Sequence, residues 1–269
     1  MDLITSLVAQ YRPQIHVLWD ELADYSPGDI NDAVKFCMRT LCEWIDVQNA
    51  FWIGTVRMAA DAQTESGTLY GWRIMAADVL NPECTSPERL ARGMKMLSNP
   101  DPGMETRAMM AGAGEFRVHS FHSGAFDLAQ FKQTDHFDFF YRERNINDRM
   151  WVVFPINEDV ELYYLFDTYE DGRCFTAAER ELLGEALRGL KWFHRQLLLN
   201  RGLGICKEPL TPAERRVIPD ILTGATEKIM AVRLNLTQAT VHQYVTRVYK
   251  KFGVRGRTAF MALWLKGRM

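Results

Sequence analysis

Apolar side chains recur at helical spacing over residues 176–197. Thr176 is a residue type that caps helices, and Glu179 follows three positions later, which is the pattern of a capping box. The apolar face consists of Leu182, Leu183, Ala186, Leu187, Leu190, Phe193 and Leu197. This periodicity predicts one long helix. The next stretch, residues 200–209, holds two glycines and a proline without sustained periodicity, which predicts a linker.

Two β-rich apolar runs precede this helix, at residues 151–156 and 160–166. The polar residues 157–159 between them are suited to a short turn, so the pattern predicts an antiparallel hairpin. A second strand pair is predicted at residues 49–58 and 68–75. Helices are expected at residues 32–45, 86–97 and 128–142.

Strand pairs interleaved with helices favour an antiparallel sheet with flanking helices, which is an α+β fold. Residues 31–199 resemble a GAF or PAS-like sensory domain in this layout. The likeness is greatest over residues 148–190, where the F-T-x-x-E sequence at 175–179 opens the last helix. The resemblance implies that residues 1–199 form a sensory and dimerisation domain.

The last sixty residues, 210–269, have the pattern of several short helices, each with its own cap. Thr211 is suited to the N-cap position, Pro212 to the first helical position, and Glu214 completes a capping box. Gly224 can end this helix because glycine adopts the left-handed conformation at little cost.

A second and a third short helix follow in the same segment. Thr226 and Thr237 are suited to cap them, and Asn235 tolerates a left-handed backbone in the turn between them. The side chains expected to face the core from the second helix are Ile229, Met230 and Leu234. A short helix, a turn and a second helix predict an all-α helix-turn-helix domain.

The third helix separates an apolar stripe from a polar face. The stripe consists of Val241, Val245, Val248 and Phe252. The polar face suits major-groove reading, because amide and guanidinium groups make bidentate hydrogen bonds to base edges. Base contacts are predicted for Gln238, Thr240, His242, Gln243, Thr246 and Arg247. Phosphate contacts are predicted for Lys228, Lys250, Lys251, Arg255 and Arg257.

The charge distribution agrees with a nucleic-acid partner at one end of the chain. Residues 210–269 contain eleven Lys and Arg against three acidic residues, an excess of eight positive charges. Because the whole chain has a net charge of -2, residues 1–209 carry -10. A basic domain on an acidic body is expected where only one end meets a polyanion. The alternative is a helical module that binds another protein.

Four segments of the basic domain resemble the DNA-binding domain of LuxR-type regulators. They are L-T-P-A-E-R-R-V (210–217), G-A-T-E-K-I-M-A-V-R-L (224–234), T-Q-A-T-V-H-Q-Y-V (237–245) and K-K-F-G-V-R-G-R-T (250–258). The resemblance implies a four-helix domain in which the helix from Gln238 reads the major groove. It also implies that the last helix, 258–265, helps to pair two copies on a palindromic operator.

Three residues depart from the LuxR-type pattern. Pro219 lies inside the first helix, where it removes a hydrogen-bond donor and predicts a kink. Ile229 stands where the family usually has an acidic or amide residue, so the second helix lacks a capping box. Asn235 replaces the usual glycine. None of these residues belongs to the predicted reading face.

Aromatic residues are dense in the first domain, and a subset could line a pocket for a small molecule. The candidates are Phe51, Trp52, Tyr70, Trp72, Phe139, Trp151, Phe154 and Tyr163. The alternative for each of them is ordinary core packing. Quorum-sensing LuxR proteins carry a Trp, Tyr and Asp constellation for acyl-homoserine lactones, and Asp78 would be its acidic member here. The spacing around these residues does not match, so the lactone assignment is not carried over.

Other chemistry is disfavoured by the motifs of the first domain. His119 and His122, with His136 and Asp138 downstream, form a weak metal pattern without a thiolate, so no metal site is predicted. Asp167 follows an apolar strand, but the acidic pair and the alternating βα units of a receiver domain are missing. No nucleophile elbow, P-loop or dinucleotide motif occurs, which predicts neither an enzyme nor a cofactor.

The patterns together predict a cytoplasmic, homodimeric transcription regulator. Its expected partners are double-stranded DNA with a palindromic operator and a small-molecule or protein signal. A membrane is not expected, because no apolar run approaches the roughly 18 residues that span a bilayer. One alternative is a constitutive DNA-binding regulator whose first domain is only a dimerisation scaffold. Another is an enzyme tethered to DNA, which would need a paired nucleophile and base.

Overall fold

The computed structural model describes residues 6–57, 72–82, 86, 88, 103–169, 172–203 and 210–266. The helices in this part of the chain are α1 (Leu7–Asp24), α2 (Ile30–Trp44), α3 (Gly103–Ala111), α4 (Leu128–Phe131), α5 (Asp135–Phe140), α6 (Ala177–Arg188), α7 (Lys191–Arg201), α8 (Pro212–Arg215), α9 (Ile218–Leu222), α10 (Glu227–Leu234), α11 (Gln238–Lys251) and α12 (Arg257–Lys266). The strands are β1 (Asn49–Arg57), β2 (Trp72–Val79), β3 (Arg117–Ser120), β4 (Ile146–Asn157) and β5 (Val160–Tyr169). No helix of these ranges is long and apolar enough to cross a membrane.

The chain divides into two compact units. The first comprises residues 1–19 and 35–189, and the second comprises residues 20–34 and 190–269. Helices α1 and α2 therefore contribute residues to both units. The predicted division of the chain at residues 200–209 stays a prediction, and most of that segment lies outside the described residues.

The first unit contains a five-stranded sheet of order β2-β1-β5-β4-β3, in which every neighbouring pair is antiparallel. The sheet with flanking helices confirms the predicted α+β class, and both predicted strand pairs are present. Strand β3 was not predicted, because four residues with one aliphatic side chain give no clear alternation. The predicted strand residues 68–71, and most of the helix expected at residues 86–97, lie outside the described residues.

The alternation of side chains gives the sheet two different faces. On one face, helix α6 packs against β3: a Cβ at Gly184 would lie 3.1 Å from Val118 Cγ2. Trp52 and Tyr164 are fully buried on this face, opposite each other in neighbouring strands. The other face carries an aromatic cluster built from the strands and from α3 to α5.

The long helix predicted for residues 176–197 is wrong, since α6 ends before α7 begins. Its capping box is confirmed: Thr176 Oγ1 accepts from Glu179 N at 3.2 Å, and Glu179 Oε2 accepts from Thr176 N at 2.8 Å. Next to the break, the indole of Trp19 lies so close to Gly189 that a Cβ there would be 2.2 Å from it. Trp19 Nε1 also donates to the carbonyl of Ala186 at 2.8 Å, which satisfies an acceptor near the end of α6.

The helix predicted for residues 128–142 is also divided. Helix α4 ends at Phe131, and Thr134 then caps α5 by accepting from Phe137 N at 3.1 Å. A 3-10 turn at residues 142–144 follows and ends at Asn145, which has a left-handed backbone with φ of 55°. Local capping by a threonine and a left-handed asparagine therefore interrupts the apolar pattern.

In the second unit, side-chain hydrogen bonds join α7 to the turn between α1 and α2 and to the start of α2. Asn200 Nδ2 donates to the carbonyl of Pro27 at 2.9 Å, and Arg201 donates to Asn31 Oδ1 at 3.0 Å. The side chain of Leu199 belongs to the same buried cluster as the C-terminal helices. The end of α7 is thus part of the core of this unit.

Candidate nucleic-acid interface and cavity

Helices α8 to α12 surround one apolar core. Its buried side chains include Val217, Ile218, Ile221, Met230, Val241, Val245, Val248, Phe252 and Phe260. The predicted first capping box is confirmed, because Thr211 Oγ1 accepts from Glu214 N at 3.2 Å and Glu214 Oε2 accepts from Thr211 N at 2.8 Å. The predicted stripe of the reading helix is confirmed as well, with all four of its members buried.

Pro219 has a structural explanation in the second unit. The segment predicted as one kinked helix is two short helices, α8 and α9, and Pro219 occupies the first turn of α9. A Cβ added at Gly28 would lie 2.9 Å from the Pro219 ring. The proline therefore packs closely against the turn between α1 and α2.

The helix-turn-helix geometry follows from three local signals. Thr226 Oγ1 accepts from Ile229 N at 3.3 Å at the start of α10, and Thr237 Oγ1 accepts from Thr240 N at 3.1 Å at the start of α11. Asn235 has φ of 53° and ψ of 51°, as the turn was predicted to require. These contacts fix the direction in which α11 leaves α10.

One expectation for α10 is wrong, since Ile229 does not face the core. Its side chain is 45% exposed, whereas Met230 is fully buried. Successive helical residues are about 100° apart around the helix axis. Because Met230 points into the core, Ile229 points away from it. Val232, which is 79% exposed, lies on the same outer side, and Leu234 is partly buried against the core.

The polar face of α11 is accessible. Exposed side chains among the predicted base contacts are Gln238, His242, Gln243, Thr246 and Arg247. Thr240 is half-buried, and its hydroxyl lies 2.8 Å from that of Thr237 in the cap. His242 Nδ1 lies 3.0 Å from a carboxylate oxygen of Glu227, which links α11 to the start of α10.

The acidic groups of the described C-terminal domain are paired within it. Glu214 accepts from Lys251 Nζ at 2.8 Å, and Asp220 accepts from Arg233 at 2.6 Å. Burial raises the pKa of Glu214, but Lys251 and Thr211 outweigh it and hold that pKa below its usual range. Glu227 lies beside His242, so each acidic side chain in the described part of this domain has a basic partner.

The predicted phosphate contacts fall into two groups. Lys228, Lys250 and Arg255 are exposed. Lys251 is held by Glu214, and Arg257 donates to the carbonyl of Ala225. The last two side chains are therefore partly buried and bonded within the domain, whereas the first three are exposed.

The aromatic face of the sheet in the first unit borders a partly open cavity of about 160 Å³. It is lined by Ile53, Thr55, Trp72, Ile74, Glu105, Met109, Met110, His136, Phe140, Tyr141, Arg149, Trp151, Tyr163 and Leu165. Three of the predicted pocket residues, Trp72, Trp151 and Tyr163, belong to this lining.

The remaining predicted pocket residues lie elsewhere. Trp52 and Phe154 are on the opposite face of the sheet, where Phe154 meets Phe116 with ring centroids 5.9 Å apart. Phe51 lies beside the cavity beneath the guanidinium groups of two arginines. Phe139 is buried on α5, and Tyr70 lies outside the described residues.

One end of the cavity carries a charged cluster that the sequence patterns did not indicate. Tyr141 OH donates to Glu105 Oε1 at 2.9 Å, and His136 Nε2 lies 3.0 Å from Glu105 Oε2. Arg149 stacks over the Tyr141 ring and binds Asp167 through two hydrogen bonds of 2.5 and 2.7 Å. Burial raises the pKa of Glu105, but its partners outweigh burial and the pKa lies below its usual range.

A second ion pair joins β3 to β5. Arg117 binds both carboxylate oxygens of Glu161 at 2.9 Å, and Tyr163 OH donates to Glu161 Oε2 at 2.8 Å. Glu161 is fully buried, so this bidentate pair fixes the Tyr163 hydroxyl beside the cavity. Sequence patterns could not have found the pair of Arg117 and Glu161, because these residues are more than forty positions apart.

The weak histidine pattern does not come together. His119 is on β3, His136 is beside Glu105, and Asp138 pairs with Arg142 one helical turn later. His122 instead lies near Asp148 and Cys174. Asp167, considered as a phosphoacceptor, is buried in ion pairs on an antiparallel sheet.

Comparison with known proteins identifies the C-terminal segment. Residues 208–263 match the GerE family, the bacterial regulatory proteins of the luxR family. The chain is 34% identical over 56 residues to the probable HTH-type transcriptional regulator GfsR of Streptomyces halstedii, covering 21% of this chain and 23% of that protein. The C-terminal domain is therefore a LuxR-type helix-turn-helix domain, the DNA-binding domain of this class of transcription regulator.

Two other comparisons extend over more of the chain. The nitrate/nitrite response regulator protein NarP of Escherichia coli K12 is 26% identical over 196 residues, covering 66% of this chain and 91% of NarP. The crystal structure of Escherichia coli SdiA aligns over 96% of this chain and 97% of SdiA, with a TM-score of 0.46 and 11% identity. The chain spans about a quarter of GfsR and most of NarP.

Proposed function

We propose that this protein is a cytoplasmic, homodimeric transcription regulator that binds double-stranded DNA and responds to a small molecule. The observation that supports DNA binding is the exposed polar face of α11 on a helix-turn-helix whose acidic groups are internally paired. In this proposal Gln238, Gln243 and Arg247 contact base edges in the major groove. Lys228, Lys250, Arg255 and their neighbours position the domain on the phosphates.

The last helix is proposed to pair two copies on a palindromic operator. Phe260 is buried against Phe252, with ring centroids 4.9 Å apart, so this side of α12 is occupied by the core of its own domain. Thr258 and Ala259 lie on the exposed side. A dimer would read two half-sites about 10 base pairs apart or a multiple of that distance. Multi-angle light scattering and operator spacing variants test this arrangement.

Binding of selected DNA fragments, measured by fluorescence anisotropy at several salt concentrations, tests the DNA-binding proposal. Affinity should fall steeply with salt, because phosphate contacts release counterions. Gln243→Ala should change the preferred sequence. Arg12→Ala, at an exposed position of α1, is the control for a lost positive charge. Salt-insensitive binding, equal in all variants, would contradict the proposal.

The effector is proposed to occupy the cavity in the first unit. A volume of about 160 Å³ is close to that of an engineered protein cavity that accepts one benzene molecule. The lining is mostly apolar, and Glu105 with His136 and Tyr141 forms its polar end. A compact, largely apolar molecule with one hydrogen-bonding group would fit this surface. Its binding would shift the population of dimer arrangements that present α11 to DNA.

Native mass spectrometry of the purified chain tests the effector proposal. A bound small molecule should be released on denaturation, and Glu105→Gln should lower its occupancy. Glu115→Gln, at an exposed carboxylate, is the matched control. The constitutive alternative is favoured instead if no molecule is bound and operator affinity is the same for both variants.

A further inference from the structure

Two loops and strand β4 of the first unit bring three different metal-ligating groups together. The ligand atoms of His122, Asp148 and Cys174 all lie within 4.8 Å of one another. His122 follows β3, Asp148 is in β4, and Cys174 precedes the cap of α6. The three residues are distant in sequence, and they are not the histidine grouping considered above.

Asp148 anchors both loops at the positions next to the other two ligands. Its Oδ1 accepts from Phe121 N at 3.0 Å, and its Oδ2 accepts from Phe175 N at 2.8 Å. Each bonded amide is adjacent in sequence to one of the ligands. The carboxylate is buried, whereas the His122 and Cys174 side chains are exposed. The Asp148 carboxylate is therefore held by backbone hydrogen bonds, whereas the His122 and Cys174 side chains are free to change rotamer.

Further hydrogen bonds hold the two loops in place. Ser123 Oγ donates to the carbonyl of Ser120 at 2.8 Å, which closes the tight turn that carries His122. Asn147 Nδ2 donates to the carbonyl of Gly172 at 2.7 Å on the other side. Arg180 reaches both loops, with bonds of 2.8 Å to the Phe175 carbonyl and 3.3 Å to Ser120 Oγ.

We propose that His122, Asp148 and Cys174 bind a borderline-soft divalent metal ion, Zn²⁺, at the start of α6. One nitrogen, one carboxylate oxygen and one thiolate are a donor set that Zn²⁺ accepts, with a fourth position for water. Donors around tetrahedral zinc are roughly 3–4 Å apart. Small rotations of the His122 and Cys174 side chains would shorten the distances between the ligand atoms, now up to 4.8 Å, to that range. The ion would tie the loop after β3 to the loop before Thr176.

Zn²⁺ titration of the full chain, purified without a histidine tag, tests the site. One equivalent should bind, and Cys174→Ser or His122→Ala should each weaken binding at least tenfold. Co²⁺ should give the absorption band of a cobalt–thiolate bond, and Cys174→Ser should abolish it. Zn²⁺ should raise the melting temperature only where the site is intact.

Two matched variants separate this site from other histidine and cysteine sites. His119→Ala removes the nearby histidine on β3, and Cys42→Ser replaces a buried thiol; both should bind Zn²⁺ as the wild type does. Melting temperatures in EDTA show whether each variant is folded. Absence of zinc binding, equal binding by Cys174→Ser, or loss of binding in His119→Ala would overturn the proposal.

Discussion

Lys251, in the last turn of the reading helix, forms a 2.8 Å ion pair with Glu214, the acidic member of the capping box that opens the C-terminal domain. Glu214 is buried, and the lysine side chain is 20% exposed. The neighbouring Lys250 is exposed. Two consecutive lysines of one helix therefore have different surroundings, although both were predicted to bind phosphate.

Substitutions of the two lysines should separate stability from DNA binding. Lys251→Ala leaves a buried carboxylate without its cation, which should cost about 1–3 kcal/mol of unfolding free energy. Lys250→Ala should leave stability unchanged and weaken binding to all DNA sequences alike. It should also reduce the slope of log affinity against log salt by about 0.9. Urea denaturation and anisotropy on both variants measure this, and identical effects of the two would contradict the different roles.

The buried imidazole of His194 should make stability depend on pH. Burial lowers the pKa of His194 to about 3, so the folded chain keeps this ring neutral where the unfolded chain binds a proton. The unfolding free energy should therefore fall as pH drops below about 6.5. Each pH unit should lower the folding equilibrium constant by up to about tenfold. The loss continues until the pH approaches the folded-state value.

Denaturation between pH 7 and pH 5 measures this effect. His194→Phe should show a smaller loss of stability over that range, because the substituted side chain has no proton to bind. The range lies above the usual titration of carboxyl groups, so the lowered pKa of Glu214 does not enter. His119, whose pKa is lowered by burial and by Arg117, should account for part of the residual slope. An unchanged slope in His194→Phe would count against the assignment.

Trp19 should make Gly189 intolerant of substitution. A Cβ at Gly189 would lie 2.2 Å from the indole, so Gly189→Ala should destabilise the chain by about 1–3 kcal/mol through overpacking. Trp19→Leu provides space, and Gly189→Ala should cost less in that background. A double-mutant cycle by thermal denaturation measures the coupling. Additive effects would show that the indole does not impose the glycine.

The sequence predicted what is encoded locally and missed what depends on distant partners. Caps at Thr176, Thr211 and Thr237 are each determined within four residues, and all three are present. The end of α6 is in contact with Trp19, which is 170 positions before Gly189 in the chain and has no local signature there. The charged end of the cavity was missed for the same reason, because Glu105 and Tyr141 are 36 positions apart in the chain and meet only in the folded structure.

Ile229 offers a direct test of the capping argument in the helix-turn-helix. Thr226 already accepts from the backbone of residue 229, and the missing half of the box is an acidic side chain at that position. Ile229 is 45% exposed, so replacing it sacrifices little burial. Ile229→Glu should therefore be more stable than Ile229→Ala by about 0.5–1 kcal/mol. Both variants lack the isoleucine side chain, so its loss does not affect the difference between their stabilities. Equal melting temperatures for the two variants would show that the second helix gains nothing from a complete capping box.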